Sequence, residues 1–201
     1  MSADGSHGRG RLLDADDSVL CVIDVQPHFV GKLAETDGGA PFLQRVIWVA
    51  ALANALNVPI VVTEEEPDGN GATLPEIVER LPDPTPRYEK PTFGLADVSE
   101  IMAAVEATAR NTAVLVGMET DVCVAHSALA LLDRNYRVVV VRDAVLSPGD
   151  AHTDGIERMR AAGVTLIGVK GLFYEWVRTV DFARKLDDHM ASVPVPDGLT
   201  L

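Results

Sequence analysis

The chain has only two cysteines, Cys21 and Cys123, and neither belongs to a CxxC pair. A disulfide framework is therefore excluded, and reduced thiols in a cytosolic protein are expected. The opening residues, MSADGSHGRGRLLDADD, lack the ~7–15-residue apolar stretch of a secretory signal. No apolar run approaches the ~20 residues of a membrane span. Basic residues are also scarce: 17 Lys and Arg stand against 30 Asp and Glu, a net charge of −13. Phosphates would be repelled, which argues against nucleic acid and anionic membranes as partners and leaves a small-molecule substrate. No internal repeat and no linker divides the 201 residues.

What the chain does have is the material of one packed domain, with 47% hydrophobic and 23% charged residues. Residues 1–17 are polar and glycine-rich and read as a loose tail. Strands are expected at Ser18–Val25, Val58–Thr63, briefly at Arg87–Lys90, then at Thr112–Val116, Arg137–Val141 and Val164–Val169. Helices are expected between them: Pro41–Asn57, a short one after a capping box at Thr73–Glu76, Asp97–Arg110, Asp121–Arg134, Asp150–Ala162 stopped by Gly163, and Leu172–Leu186. Six apolar strands alternating with helices imply an α/β fold, a three-layer α/β/α sandwich around a six-stranded, mostly parallel sheet. The domain would span residues 18–186, with an irregular tail over 187–201.

Ligands of such sheets bind beyond the carboxyl ends of the strands. That edge collects Asp24, Gln26, His28 and Phe29 after the first strand, Glu64, Glu65 and Glu66 after the second, Lys90 after the third, and Gly117–Cys123 after the fourth. With Thr120 as N-cap, Cys123 would lie in a first helical turn, where the helix dipole lowers a thiol pKa. Lys90 would lower it further, and Asp24, closing an apolar strand, would be desolvated enough to hold a proton. Nucleophile, cation and acid/base would then sit on three adjacent loops. Spacing alone leaves the blander readings open: a buried thiol as a small hydrophobe (surely so for Cys21), Asp24 as a cap, Lys90 as a solvated charge. His126 is expected to be a structural histidine, the three glutamates a solvated loop, and Trp176 either core or a subunit contact.

At these residues the chain resembles the isochorismatase-like superfamily of cysteine hydrolases. The resemblance runs from about Val19 to Leu186 and rests on VLCVIDVQPHF, KPTFG and VLVGMETDVCVAHSALALLDRNYRVVVVRDA. It implies an Asp–Lys–Cys triad at Asp24, Lys90 and Cys123. It also implies a non-proline cis peptide joining Met118 to Glu119, with the backbone N–H groups of Glu119 and Cys123 forming an oxyanion hole. Phe29 and Phe93 would line the pocket, and a homo-oligomer is expected. Metal-binding relatives use an Asp-x-His element and a further histidine between the catalytic Asp and Lys, where this chain has only His28. No metal and no cofactor are therefore expected. The implied reaction is hydrolysis of a C–N bond in a small amide, ureide or carbamoyl compound through a thioester. A non-catalytic assembly member and a Cys123 redox sensor are the alternatives.

Overall fold

A computed structural model describes residues 12–33 and 39–201. Six strands form one sheet: β1 (Ser18–Ile23), β2 (Ile60–Glu64), β3 (Arg87–Glu89), β4 (Thr112–Met118), β5 (Arg137–Leu146) and β6 (Thr165–Ile167). Their order is β3-β2-β1-β4-β5-β6, and every pairing is parallel. Between the strands run α1 (Pro27–Gly31), α2 (Gly39–Ala55), α3 (Pro67–Asn70), α4 (Pro75–Val78), α5 (Ser99–Ala107), α6 (Ala125–Asp133) and α7 (Ala151–Ala162). Two further helices, α8 (Val169–Val177) and α9 (Val180–Met190), close the fold.

The two faces of the sheet explain the unbroken apolar strands. All six residues of β1 are buried. Leu20 and Val22 belong to one core with Val46, Leu52 and Trp176, beneath α2, α8 and α9. Val19, Cys21 and Ile23 point the other way, toward Ile101, Leu131 and Met159 of α5, α6 and α7. This is the three-layer α/β/α sandwich expected from the alternation of elements.

The chain winds outward from β1 through β2 to β3, then returns to the other side of β1 and winds outward again. The reversal opens a crevice between the carboxyl ends of β1 and β4. A tight junction marks the spot. Gly117 has φ +121°, and a Cβ there would stand 2.0 Å from the Ile23 carbonyl oxygen. Only glycine lets β4 lie this close to β1 just before the chain turns into the Cys123 segment.

Several local expectations change. Thr73 does not cap α4, which has Leu74 at its N-cap and no side-chain cap bond; instead its N–H and hydroxyl both donate to Glu64 Oε1, each at 2.7 Å. The expected helix over 172–186 is two helices. Arg178 adopts φ +67° and donates through Nη2 to the Leu13 carbonyl, while Thr179 caps α9 by accepting from the Phe182 N–H. Of the N-terminal segment, residues 1–11 lie outside the described residues. Residues 12–17 are anchored: Leu13 is fully buried, and its N–H donates to Glu175 Oε2. Trp176 is core, its Nε1 donating to Ser18 Oγ. Among the described residues no helix is long and apolar enough to cross a membrane.

Candidate active site

Three strand ends meet at the crevice. Asp24 follows β1 with a left-handed φ of +50°, which turns its carboxylate out of the strand direction. The side chain is fully buried, and Oδ1 accepts a 2.7 Å hydrogen bond from the Thr63 hydroxyl at the end of β2. Lys90, directly after β3, is also completely buried. Its Nζ forms a 3.0 Å ion pair with Asp24 Oδ2 and donates to the carbonyls of Thr92 and Phe93 at 2.5 and 3.1 Å. The same Nζ lies 3.6 Å from Cys123 Sγ. The structure thus brings Asp24, Lys90 and Cys123 together from positions up to 99 residues apart in sequence.

The local setting of Cys123 differs from the expected first turn of an α-helix. Thr120–Val124 forms a wider π-type turn, flanked by Glu119, before α6 begins. Thr120 is not a side-chain cap; its hydroxyl meets His152 Nδ1 at 3.0 Å. The peptide joining Met118 to Glu119 is cis. The thiol is not held low in this resting arrangement. Burial pushes it up, the Asp24 carboxylate adds to that, and Lys90 opposes them. Burial likewise raises Asp24 against the pull of Lys90 and Thr63. For Lys90, burial acts downward, but the Asp24 carboxylate beside it, by charge and by hydrogen bond, outweighs burial and the ammonium stays protonated. The site therefore rests as a thiol beside the Asp24–Lys90 pair.

Two residues that the sequence places at this edge, with no catalytic role expected of either, join the site. Glu65 is one. Its Oε2 accepts from the Cys123 thiol at 3.0 Å and lies 3.5 Å from Lys90 Nζ. The run Glu64–Glu66 is not a uniformly solvated loop. Glu64 is a buried latch for Thr73 and Arg87, Glu65 turns into the site, and Glu66 is exposed. Gln26 is the other. Its Nε2 donates to the carbonyls of Glu65 and Gly71 at 3.0 and 2.6 Å, and its Oε1 accepts from the Glu65 N–H at 2.8 Å. Gln26 is fully buried two residues beyond the strand-terminal Asp24, so its amide must find partners inside the protein.

The residues expected to line the pocket separate. Phe29 is buried, with Lys32 Nζ 4.8 Å above its ring, and Lys32 in turn pairs with Glu119 Oε1 at 3.3 Å. Phe93 is 54% exposed, and its ring meets the edge of His126 at 6.0 Å. His126 is exposed on α6 and contacts that ring. Asp24, Glu65 and Cys123 present donor atoms within 4.8 Å of one another, a spacing that a metal ion could bridge. Lys90 Nζ, however, stands 3.0, 3.5 and 3.6 Å from those same three atoms. The ammonium is the cation of this cluster, and a metal ion would have to displace it.

The isochorismatase domain model matches residues 18–170. The chain belongs to the isochorismatase family. It is 30% identical over 196 residues to isochorismatase domain-containing protein 2A of Mus musculus, covering 94% of this chain and 89% of the mouse protein. Among solved structures, the Escherichia coli YcaC protein, described as an octameric hydrolase of unknown specificity, superposes with a TM-score of 0.82 at 27% identity and 92% coverage of both chains. YcaC from Pseudomonas aeruginosa, solved with hexane-2,5-diol and covalent acrylamide, gives 0.79 at 28% identity, covering 92% of this chain and 94% of that one. This member of the hydrolase family thus carries a buried thiol, carboxylate and ammonium at the edge where such folds bind ligands.

Proposed function

We propose that the protein is a cysteine-dependent hydrolase of a C–N bond in a small amide, ureide or carbamoyl compound. One observation carries the reading: Cys123 Sγ lies 3.6 Å from an ammonium that is itself 3.0 Å from a fully buried carboxylate. When a substrate carbonyl reaches Sγ, Asp24 takes the thiol proton and Lys90 faces the resulting thiolate. The transfer moves charge within the cluster without changing its total, so it avoids releasing a proton from a buried site. Sulfur bonds to the carbonyl carbon, and the π pair moves to oxygen, toward the N–H groups of Glu119 and Cys123. Collapse expels the amine, which takes the proton from Asp24, and leaves a thioester. Water then gives a proton to Asp24 and attacks. The C–S bond breaks, the acid departs, and the proton returns to sulfur.

The covalent acrylamide in P. aeruginosa YcaC supports a nucleophile in a related fold, since acrylamide bonds to nucleophiles through its alkene carbon. The octameric E. coli relative supports a homo-oligomer. Two unpaired thiols suit a reducing, cytoplasmic setting. The experiment is a screen of primary amides, carbamoyl compounds and ureides for ammonia release, run with a chelator present. Release by the wild type and its absence in Cys123→Ala is expected. Release that survives Cys123→Ala, or that vanishes with the chelator and returns with zinc or manganese, would overturn the proposal.

A further inference from the structure

Glu65 is held more firmly than a loop glutamate needs to be. Its N–H and carbonyl are both clamped by the buried Gln26 amide, and its carbonyl also accepts from Asn70 Nδ2 at 2.8 Å. The clamp fixes a second carboxylate 3.0 Å from the nucleophile. Cys123 faces Asp24 from β1, Glu65 from β2 and Lys90 from β3, so two negative charges and one positive surround it. The mechanism above uses Asp24 and Lys90 and leaves Glu65 without a task.

Its position gives it one. In the resting site the S–H donates to Glu65. Once that proton moves to Asp24, the carboxylate loses its donor and faces a thiolate at the same distance. Its remaining partner, Lys90 Nζ at 3.5 Å, is shared with Asp24 and the thiolate, so this partly buried acceptor beside a second anion gains from a new donor in place of the lost one. The incoming substrate is the group able to supply it.

We propose that Glu65 is the specificity-determining residue of this site: it accepts a hydrogen bond from a substrate N–H next to the carbonyl under attack. Primary amides, carbamoyl groups and ureides are admitted, because their NH2 replaces the thiol proton on Glu65. Esters bring only lone pairs to that oxygen, and carboxylates bring a like charge, so both are rejected. This rests on the hydrolase reading but is tested independently of it.

Iodoacetamide and iodoacetate form a matched pair for the test. Both alkylate a thiol at the same carbon, and they differ in presenting CONH2 or COO− beside it. Rates of Cys123 alkylation are measured by mass spectrometry, in high salt to screen the surface charge. The iodoacetamide-to-iodoacetate ratio in the wild type should exceed that of a small free thiol by about tenfold or more. Glu65→Gln should reduce the ratio about tenfold while shifting the alkylation–pH profile to lower pH, because one negative charge beside the thiol has gone. Glu65→Ala provides the same readout should the glutamine variant not fold. A wild-type ratio equal to that of the free thiol, or a ratio unmoved in a folded Glu65 variant, would overturn the proposal. If no amide is hydrolysed yet the ratio collapses as described, the hydrolase reading fails while the preference of Glu65 for an amide N–H over a carboxylate stands; hydrolysis with an unmoved ratio overturns the role of Glu65 and leaves the hydrolase reading in place.

Discussion

Replacing Lys90 with methionine keeps most of the side-chain volume and removes the one cation among three acidic groups. The structure sets the magnitude. Lys90 and Asp24 both have no solvent exposure, and their charged atoms are 3.0 Å apart. Removing one partner from such a pair strands the other in a site that water does not reach, which costs about 3–5 kcal/mol. Asp24 can escape the penalty only by taking up a proton. Burial already raises it and Lys90 opposes the rise, so losing Lys90 pushes it higher. The sign of the pH dependence follows. Above its unfolded value of 3.8, native Asp24 binds a proton more tightly than the unfolded chain does. The stability it contributes is therefore present at low pH and lost as pH rises through the folded pKa. The Lys90→Met penalty should thus be largest near pH 8 and shrink on acidification, by up to about 1.4 kcal/mol per pH unit between the folded pKa of Asp24 in the variant and its lower folded pKa in the wild type. Adding Asp24→Asn removes the stranded charge and should recover much of the loss and abolish its pH dependence. Urea unfolding followed by circular dichroism at pH 5 and pH 8, each variant compared with wild type, provides the numbers. A Lys90→Met penalty under about 1 kcal/mol, the range of an exposed ion pair, or one equal at both pH values, would refute the reasoning.

Two further expectations concern the scaffold. Burial raises Cys21 from its ordinary 9.0 to about 12, so the native state holds this proton while the unfolded chain releases it. Between pH 8 and pH 10 this costs the native state about 1.4 kcal/mol; Cys21→Ala should lose that much less over the same interval in urea titrations, and parallel curves would contradict it. Gly117→Ala should destabilise by about 4 kcal/mol or more, in the exceptional range, because its Cβ would overlap the Ile23 carbonyl at a positive φ. A thermal or urea midpoint close to wild type would show that the junction of β1 and β4 yields more easily than its geometry implies.

The sequence alone determined what depends on near neighbours along the chain. Apolar runs such as VLCVI and AVLVG, separated by stretches of helical period, specify a buried sheet with helices on both faces. That class carries with it the edge where Asp24, Lys90 and Cys123 must emerge. Gly163 also stops its helix as expected, with φ +97°. Only tertiary structure decided what depends on distant partners. TEEEP gives no local reason for its second glutamate to face the nucleophile. The reason is Gln26, 39 residues earlier, which seizes the Glu65 backbone from both sides. Thr73 leaves its capping place for a carboxylate nine residues away. The last helix breaks where Arg178 reaches the Leu13 carbonyl, 165 residues distant. The protonation of Cys123 belongs to the same group. Its place in the chain suggests a helix-stabilised thiolate, but Asp24 and Glu65 from two other strand ends, together with burial, hold the proton on sulfur. Desolvation and through-space charge set that balance, and neither acts along the sequence.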